Sequence, residues 1–114
     1  MGDRDNVKVV DGDSTVFLYT HWSGTDLPVI LKRALIRGED RWDDGPYLAR
    51  IIFDEMVTEH TGTTGYGISS VCGDGDDRII EVNIREQSVK LKVRKFSIRE
   101  YATTADDMLE WEQD

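Results

Sequence analysis

One cysteine, two prolines and two histidines among 114 residues set the first limits. Cys72 alone can form neither an internal disulfide nor a cysteine-based zinc site, and no metal or other cofactor is expected. No apolar run approaches the roughly 20 residues that span a bilayer, and residues 1–10 lack the apolar stretch of a secretory signal. A soluble, cytoplasmic protein with no membrane partner is the expectation. Repeats, low-complexity tracts and linkers rich in Pro or Ser are absent, so we read a single domain over 1–114, with loose ends at 1–6 and 102–114. Basic residues are also scarce, 14 against 23 acidic, for a net charge of −9. A field of that sign repels duplex DNA and anionic membranes, which makes nucleic acid an unfavoured partner and a protein the expected one.

The acidity has a character of its own. Asp outnumbers Glu by 15 to 8 and Arg outnumbers Lys by 9 to 5, a balance that suits a protein kept hydrated in concentrated salt. Salt adaptation is therefore one reading, since at molar salt the Debye length falls to about 3 Å and self-repulsion is screened. The signs are segregated along the chain. Residues 78–101 hold seven basic and three acidic side chains, so one part of the surface is expected to be far less acidic than the rest.

Hydrophobic periodicity supplies the elements. A strand over 7–10, a turn at Asp11-Gly12-Asp13-Ser14 and a strand over 15–21 make a hairpin. In the second strand Val16, Leu18 and Thr20 point one way and Phe17, Tyr19 and His21 the other, which suits a central position. Leu27, Ile30, Leu31, Ala34 and Leu35 then form the stripe of an amphipathic helix, with Asp26 as its cap and Gly38 as a left-handed stop. A second helix starts near Pro46 behind Asp43 or Asp44, buries Leu48, Ile51, Ile52 and Met56, and ends by Gly62. From Gly65 the period turns to two: strands are expected over 66–71, 79–84 and 89–96. Pairing Ile84 with Val89 sets Val82 against Leu91 and Ile80 against Val93. It also leaves Lys90, Lys92 and Arg94 as an exposed basic stripe on one strand. The order is β-β-α-α-β-β-β with a C-terminal helix at the tail, an α+β fold whose antiparallel or mixed sheet carries its two central helices on one face.

Chemistry-bearing residues concentrate in two places. Tyr19, His21 and Trp22 end a strand at the Ser23-Gly24 turn, and Arg41-Trp42-Asp43-Asp44 precede the second helix. A histidine beside a strand-end turn can act as a general base or a ligand, with Asp43 or Asp44 orienting it. The plainer alternative makes Trp22 and Trp42 covers for helix ends, His21 a backbone hydrogen-bonder and the aspartates caps. His60 is read as a helix C-terminal complement to the dipole, and Cys72 as a small residue beside a turn. Asp11-Gly12-Asp13 and Asp74-Gly75-Asp76-Asp77 do not fit the spacing of a calcium loop. The glycine-rich run 61–67 lacks the lysine and following helix of a phosphate-binding loop, and reads as a connection with a close backbone approach.

Tyr19-Thr20-His21-Trp22-Ser23-Gly24, Leu27-Pro28, Arg41-Trp42-Asp43-Asp44, Tyr47-Leu48-Ala49-Arg50-Ile51-Ile52-Phe53 and Thr64-Gly65-Tyr66-Gly67-Ile68 together resemble a set of small uncharacterised prokaryotic and phage proteins. The resemblance covers residues 17–69. It implies a context of mobile elements and their hosts, and brings no catalytic residue with it.

Three functions follow from these features. The leading one is a non-enzymatic acidic protein that binds another protein, in its sharper form an inhibitor of a host defence nuclease complex such as an anti-CRISPR or antirestriction protein. Carboxylates along one face would there imitate a row of phosphates. The second is an enzyme or ligand-binding protein with a pocket around His21, Trp22, Asp43 and Asp44. The third is single-strand nucleic-acid binding through Lys90, Lys92, Arg94, Lys95 and Arg99, with Phe96 or Tyr101 stacking on a base. Tyr19, Trp22, Arg41, Trp42, Lys90, Lys92 and Arg94 are the candidate binding residues.

Overall fold

A computed structural model describes residues 4–58, 60, 62–72 and 78–111. It is an α+β fold of two layers: a six-stranded mixed sheet with helices on one face. The strands are β1 (Asp5–Asp11), β2 (Ser14–Thr20), β3 (Tyr66–Ser69), β4 (Ile79–Asn83), β5 (Ser88–Leu91) and β6 (Arg94–Ser97). They lie in the order β3-β2-β1-β4-β5-β6, with β1 and β4 parallel and every other neighbour antiparallel. The helices are α1 (Leu27–Arg37), α2 (Gly45–Met56) and α3 (Ile98–Thr103). Among the described residues no helix is long and apolar enough to cross a membrane.

The pleat sorts the chain into two faces. Val7, Val9, Leu18, Ile80, Val82, Val89 and Leu91 alternate onto the helix side and are 3% exposed or less. There they meet the α1 stripe of Leu27, Leu31, Ala34 and Leu35 and the α2 stripe of Leu48, Ile51, Ile52 and Met56. Asp44 caps α2 by accepting the Tyr47 N–H at 3.3 Å. Asp26 occupies the corresponding position of α1 without a side-chain bond, and Gly38 ends that helix at φ −101°, outside the left-handed region. A single 3₁₀ turn, Glu39–Arg41, links the helices, and α2 ends at Met56 rather than near Gly62.

The sheet also differs from expectation at β1, at the β4–β5 turn and at Lys92. Asp5 and Asn6, expected in a loose end, open β1 and are buried, with Asp5 paired to Arg78 at 2.9 Å. The β4–β5 turn comes early because the Asn83 side chain accepts the Glu86 N–H at 3.0 Å and draws the chain round. Val82 therefore faces Val89 and Ile80 faces Leu91, a shift of two that keeps each side chain on its own face. The expected strand over 89–96 is broken at Lys92, whose φ of 56° turns the chain into β6. Val93 then sits in the turn, 77% exposed, instead of in the core.

The C-terminal helix lies earlier than the tail. Ser97 and Glu100 form a reciprocal capping box that starts α3. Beyond it a 3₁₀ turn, Asp106–Met108, carries the chain back over the core, where Leu109 and Trp111 are 1% and 2% exposed. The Trp111 indole donates to the Gly24 carbonyl at 2.7 Å, and the Arg78 guanidinium lies over its ring. Lys32 reaches Asp106 at 2.7 Å and, by hydrogen bond and charge, holds that carboxyl below the usual carboxylate range.

Candidate interaction surface

The structure does not bring His21 together with Asp43 and Asp44. His21 follows the end of β2 that pairs with Asp5, whereas Asp44 leads into Gly45, which lies against Asp11 at the other end of the same ladder. Six residues of strand separate the two ends, about 20 Å at roughly 3.3 Å per residue. The expected pocket around His21, Trp22 and Asp44 is thus not assembled.

The region before α2 is occupied structurally. Trp42 donates its indole N–H to the Leu35 carbonyl at 2.9 Å, closing the end of α1, and Arg99 covers its ring. Arg41 lies over Tyr47. The basic residues of 78–101 do not form a stripe either. Arg94 faces the helix side of the sheet and donates to the carbonyls of Met108 and Glu110 at 2.7 and 3.0 Å, clamping the tail. Arg99 pairs with Glu39, Lys95 with Glu86 and Arg85 with Asp11. Lys90 stands on the open sheet face opposite Glu81, and Lys92 is in the turn. Phe96 and Tyr101 pack edge-to-face inward, so neither is placed to stack on a base. Among the described residues no three His, Cys, Asp or Glu side chains form a metal set; Asp74, Asp76 and Asp77 lie outside the described residues.

What the fold does assemble is an aromatic surface where β2 and β3 meet. The rings of Trp22, His60 and Tyr66 lie 5.1 to 6.0 Å apart, with Trp22 edge-on to Tyr66. The Ser23 and Tyr66 hydroxyls share a hydrogen bond of 3.0 Å. Beside them Tyr19 and His21 stack at 5.4 Å. Two glycines make this possible. Trp22 lies across Gly65, where a Cβ would come within 2.6 Å of the ring, and the Tyr19 ring end occupies the space that a Cβ on Gly67 would need. Thr20 fixes the turn that presents Trp22 by accepting the N–H groups of Trp22 and Ser23 at 3.1 and 3.0 Å. Aromatic pairs of this kind add about 0.5–1.5 kcal/mol each when well packed. Yet Trp22 remains 52% exposed and His60 is exposed. The cluster is thus ordered without being covered.

His60, expected as a complement to the helix dipole, and Tyr66, expected in a strand, are not among the candidate binding residues that the sequence offers. A signal for Tyr66 exists: stretches 14–25 and 61–73 contain no Asp, Glu, Lys or Arg in a chain that is 32% charged. The two stretches contain β2 and β3 with their outgoing and incoming turns, and the sheet lays them side by side. These two adjoining stretches therefore form an uncharged, aromatic-rich strip on a strongly anionic molecule.

A second surface has the opposite character. A cleft of about 390 Å³ beside Trp111 is lined by Asp26, Asp106, Asp107 and Glu110, with Arg78 at its wall. No family model, no curated protein and no solved structure matches this chain.

Proposed function

We propose that this protein works by binding another protein, and that the uncharged aromatic surface of Tyr19, His21, Trp22, His60 and Tyr66 makes the contact. The observation that carries the reading is the exposure of an ordered aromatic cluster on a stretch without charge. Interface centres are depleted of charge and enriched in Trp and Tyr, and isolated exposed apolar residues need no explanation whereas a contiguous group does. The resemblance of residues 17–69 to small prokaryotic and phage proteins supports a role in mobile elements or their hosts, where the partner would be a cellular machine and the binding inhibitory. A second reading is favoured by the carboxylate-lined cleft near Trp111: acidic groups standing in for phosphates against a basic partner, a nuclease complex among them.

Affinity capture from the native host at about 0.1 M and 1 M salt, with wild type and Trp22→Ala, separates the two. We expect a partner retained at both salt concentrations and lost with Trp22→Ala, which gives up two half-exposed ring contacts and about 1–2 kcal/mol of stability, with an unchanged far-ultraviolet circular dichroism spectrum as the check that it is folded. A partner that dissociates at high salt and ignores Trp22→Ala would move the function to the acidic cleft. The absence of any retained protein would refute both.

A further inference from the structure

We propose that β3 pairs with the β3 of a second copy of the chain, antiparallel about a two-fold axis, to join two sheets into one. Among the described residues strand β3 is an edge, paired to β2 alone. The His21 N–H donates to the Gly65 carbonyl at 2.8 Å. In an antiparallel ladder, pairs that exchange hydrogen bonds alternate with pairs that do not. The bonded positions on this strand are therefore Gly65, Gly67 and Ser69, and the N–H and C=O groups of Tyr66 and Ile68 point away from β2 toward the outer edge.

Edges like this are normally blunted with lysine, proline or a bulge, because an open row of amides and carbonyls templates further pairing. The opposite edge, β6, obeys that rule with Arg94 and Lys95 and runs straight into α3. Edge β3 does not: residues 61–73 carry neither charge nor proline, and Ile68 and Val71 are 60% and 67% exposed.

Charge selects the occupant. A charged foreign peptide would find no ion-pair partner along the edge itself, since residues 60–73 carry no charge and the nearest carboxylates in sequence are those of Glu59 and Asp74. Of the two charge-free stretches, 14–25 and 61–73, the second carries the open edge, so two copies meet there with the least repulsion. The edge is also self-complementary. Placing Gly67 on the axis sets Tyr66 against the partner's Ile68 and Ile68 against the partner's Tyr66, an aromatic with a β-branched residue in both pairs, a favourable cross-strand combination. The backbone groups of both residues are then satisfied on both copies. The inference uses the strand edge and not Trp22, so it stands or falls separately from partner binding.

Sedimentation equilibrium from about 10 μM to about 1 mM, at about 0.1 M and 1 M salt, tests it. We expect a mass rising from 13.0 kDa toward twice that value, with the rise displaced to lower concentration in high salt because the mutual repulsion is screened. Ile68→Lys should weaken the dimer at least tenfold, while Ile36→Lys, on the exposed side of α1, leaves it unchanged. In wild-type protein, hydrogen exchange at the Tyr66 and Ile68 amides should slow as concentration rises, a readout that needs no variant. A single 13.0 kDa species at every concentration and salt, an Ile68→Lys dimer as strong as wild type, or exchange at those amides independent of concentration would each overturn the proposal.

Discussion

Replacing Tyr101 with phenylalanine should leave a signature in the alkaline limb of stability. The Tyr101 ring is fully buried, set edge-to-face on Phe96, and its hydroxyl donates to the Pro28 carbonyl at 2.7 Å. Burial pushes its ionisation far above the ordinary tyrosine value, and the nearby Arg94, which pulls the other way, is outweighed. Pro28 stands in the first turn of α1, where its carbonyl also accepts the helical bond from four residues on. Tyr101→Phe therefore removes one bond without orphaning the acceptor, a cost of about 1 kcal/mol at pH 7. The sign of the pH effect follows from linkage. The folded state holds the phenolic proton more tightly than the unfolded chain, so the contribution is complete below the unfolded value near pH 10 and is lost as pH climbs above it. The loss runs at about 1.4 kcal/mol per pH unit until the folded group itself ionises. The phenylalanine variant has no such loss at this position, and every other titrating group is common to both proteins. Urea unfolding from pH 7 to 11, followed by tryptophan fluorescence, should show wild type more stable by about 1 kcal/mol up to pH 9, with the two curves crossing between about pH 10 and 11. Curves that stay parallel through pH 11 would mean that the hydroxyl is not buried against Pro28, and would refute the reasoning.

Two further substitutions test how the fold is held. Trp111→Ala removes a buried indole, its bond to the Gly24 carbonyl and the surface on which Arg78 lies; equilibrium unfolding should register a loss of about 3–5 kcal/mol, and a loss under 1 kcal/mol would mean that the tail is not docked. Gly67→Ala puts a methyl where the Tyr19 ring end lies, so Tyr19 should swing off the sheet and break its stack on His21, lowering stability by about 1 kcal/mol and weakening the near-ultraviolet circular dichroism of tyrosine. An unchanged spectrum would sink that account of the close approach.

How much of the aromatic surface was legible in the sequence depends on the residue. Tyr19, His21 and Trp22 announce themselves as a dense run at a strand end. His60 and Tyr66 do not, because Trp22, the partner they share, lies more than thirty positions earlier in the chain and no spacing rule links them to it. Charge-free stretches at 14–25 and 61–73 were visible, but their meaning depends on β2 and β3 being neighbours. The Lys92 turn was illegible for another reason: two-residue hairpins are signalled by Gly, Asn or Asp, and Lys92-Val93 has none of them. With the turn hidden, periodicity runs the strand straight through and puts Arg94 on the wrong face. The opposition of His21 to Asp44 needed the length of β2 between them, and only the packing of α2 against Asp11 supplies it.

Residues near in sequence decide the local elements by themselves: the apolar stripe from Leu27 to Leu35 makes α1, Asp44 and Pro46 start α2, and Asp11-Gly12-Asp13-Ser14 folds the first hairpin. Periodicity and capping act within a few turns of chain, so they need no knowledge of the rest. The parallel union of β1 with β4, the exposure of β3 as an edge, the burial of Asp5 beside Arg78 and the anchoring of Trp111 on Gly24 belong to the tertiary structure. Each joins segments far apart along the chain, where many pairings satisfy the same local pattern and only simultaneous packing of all the layers selects one.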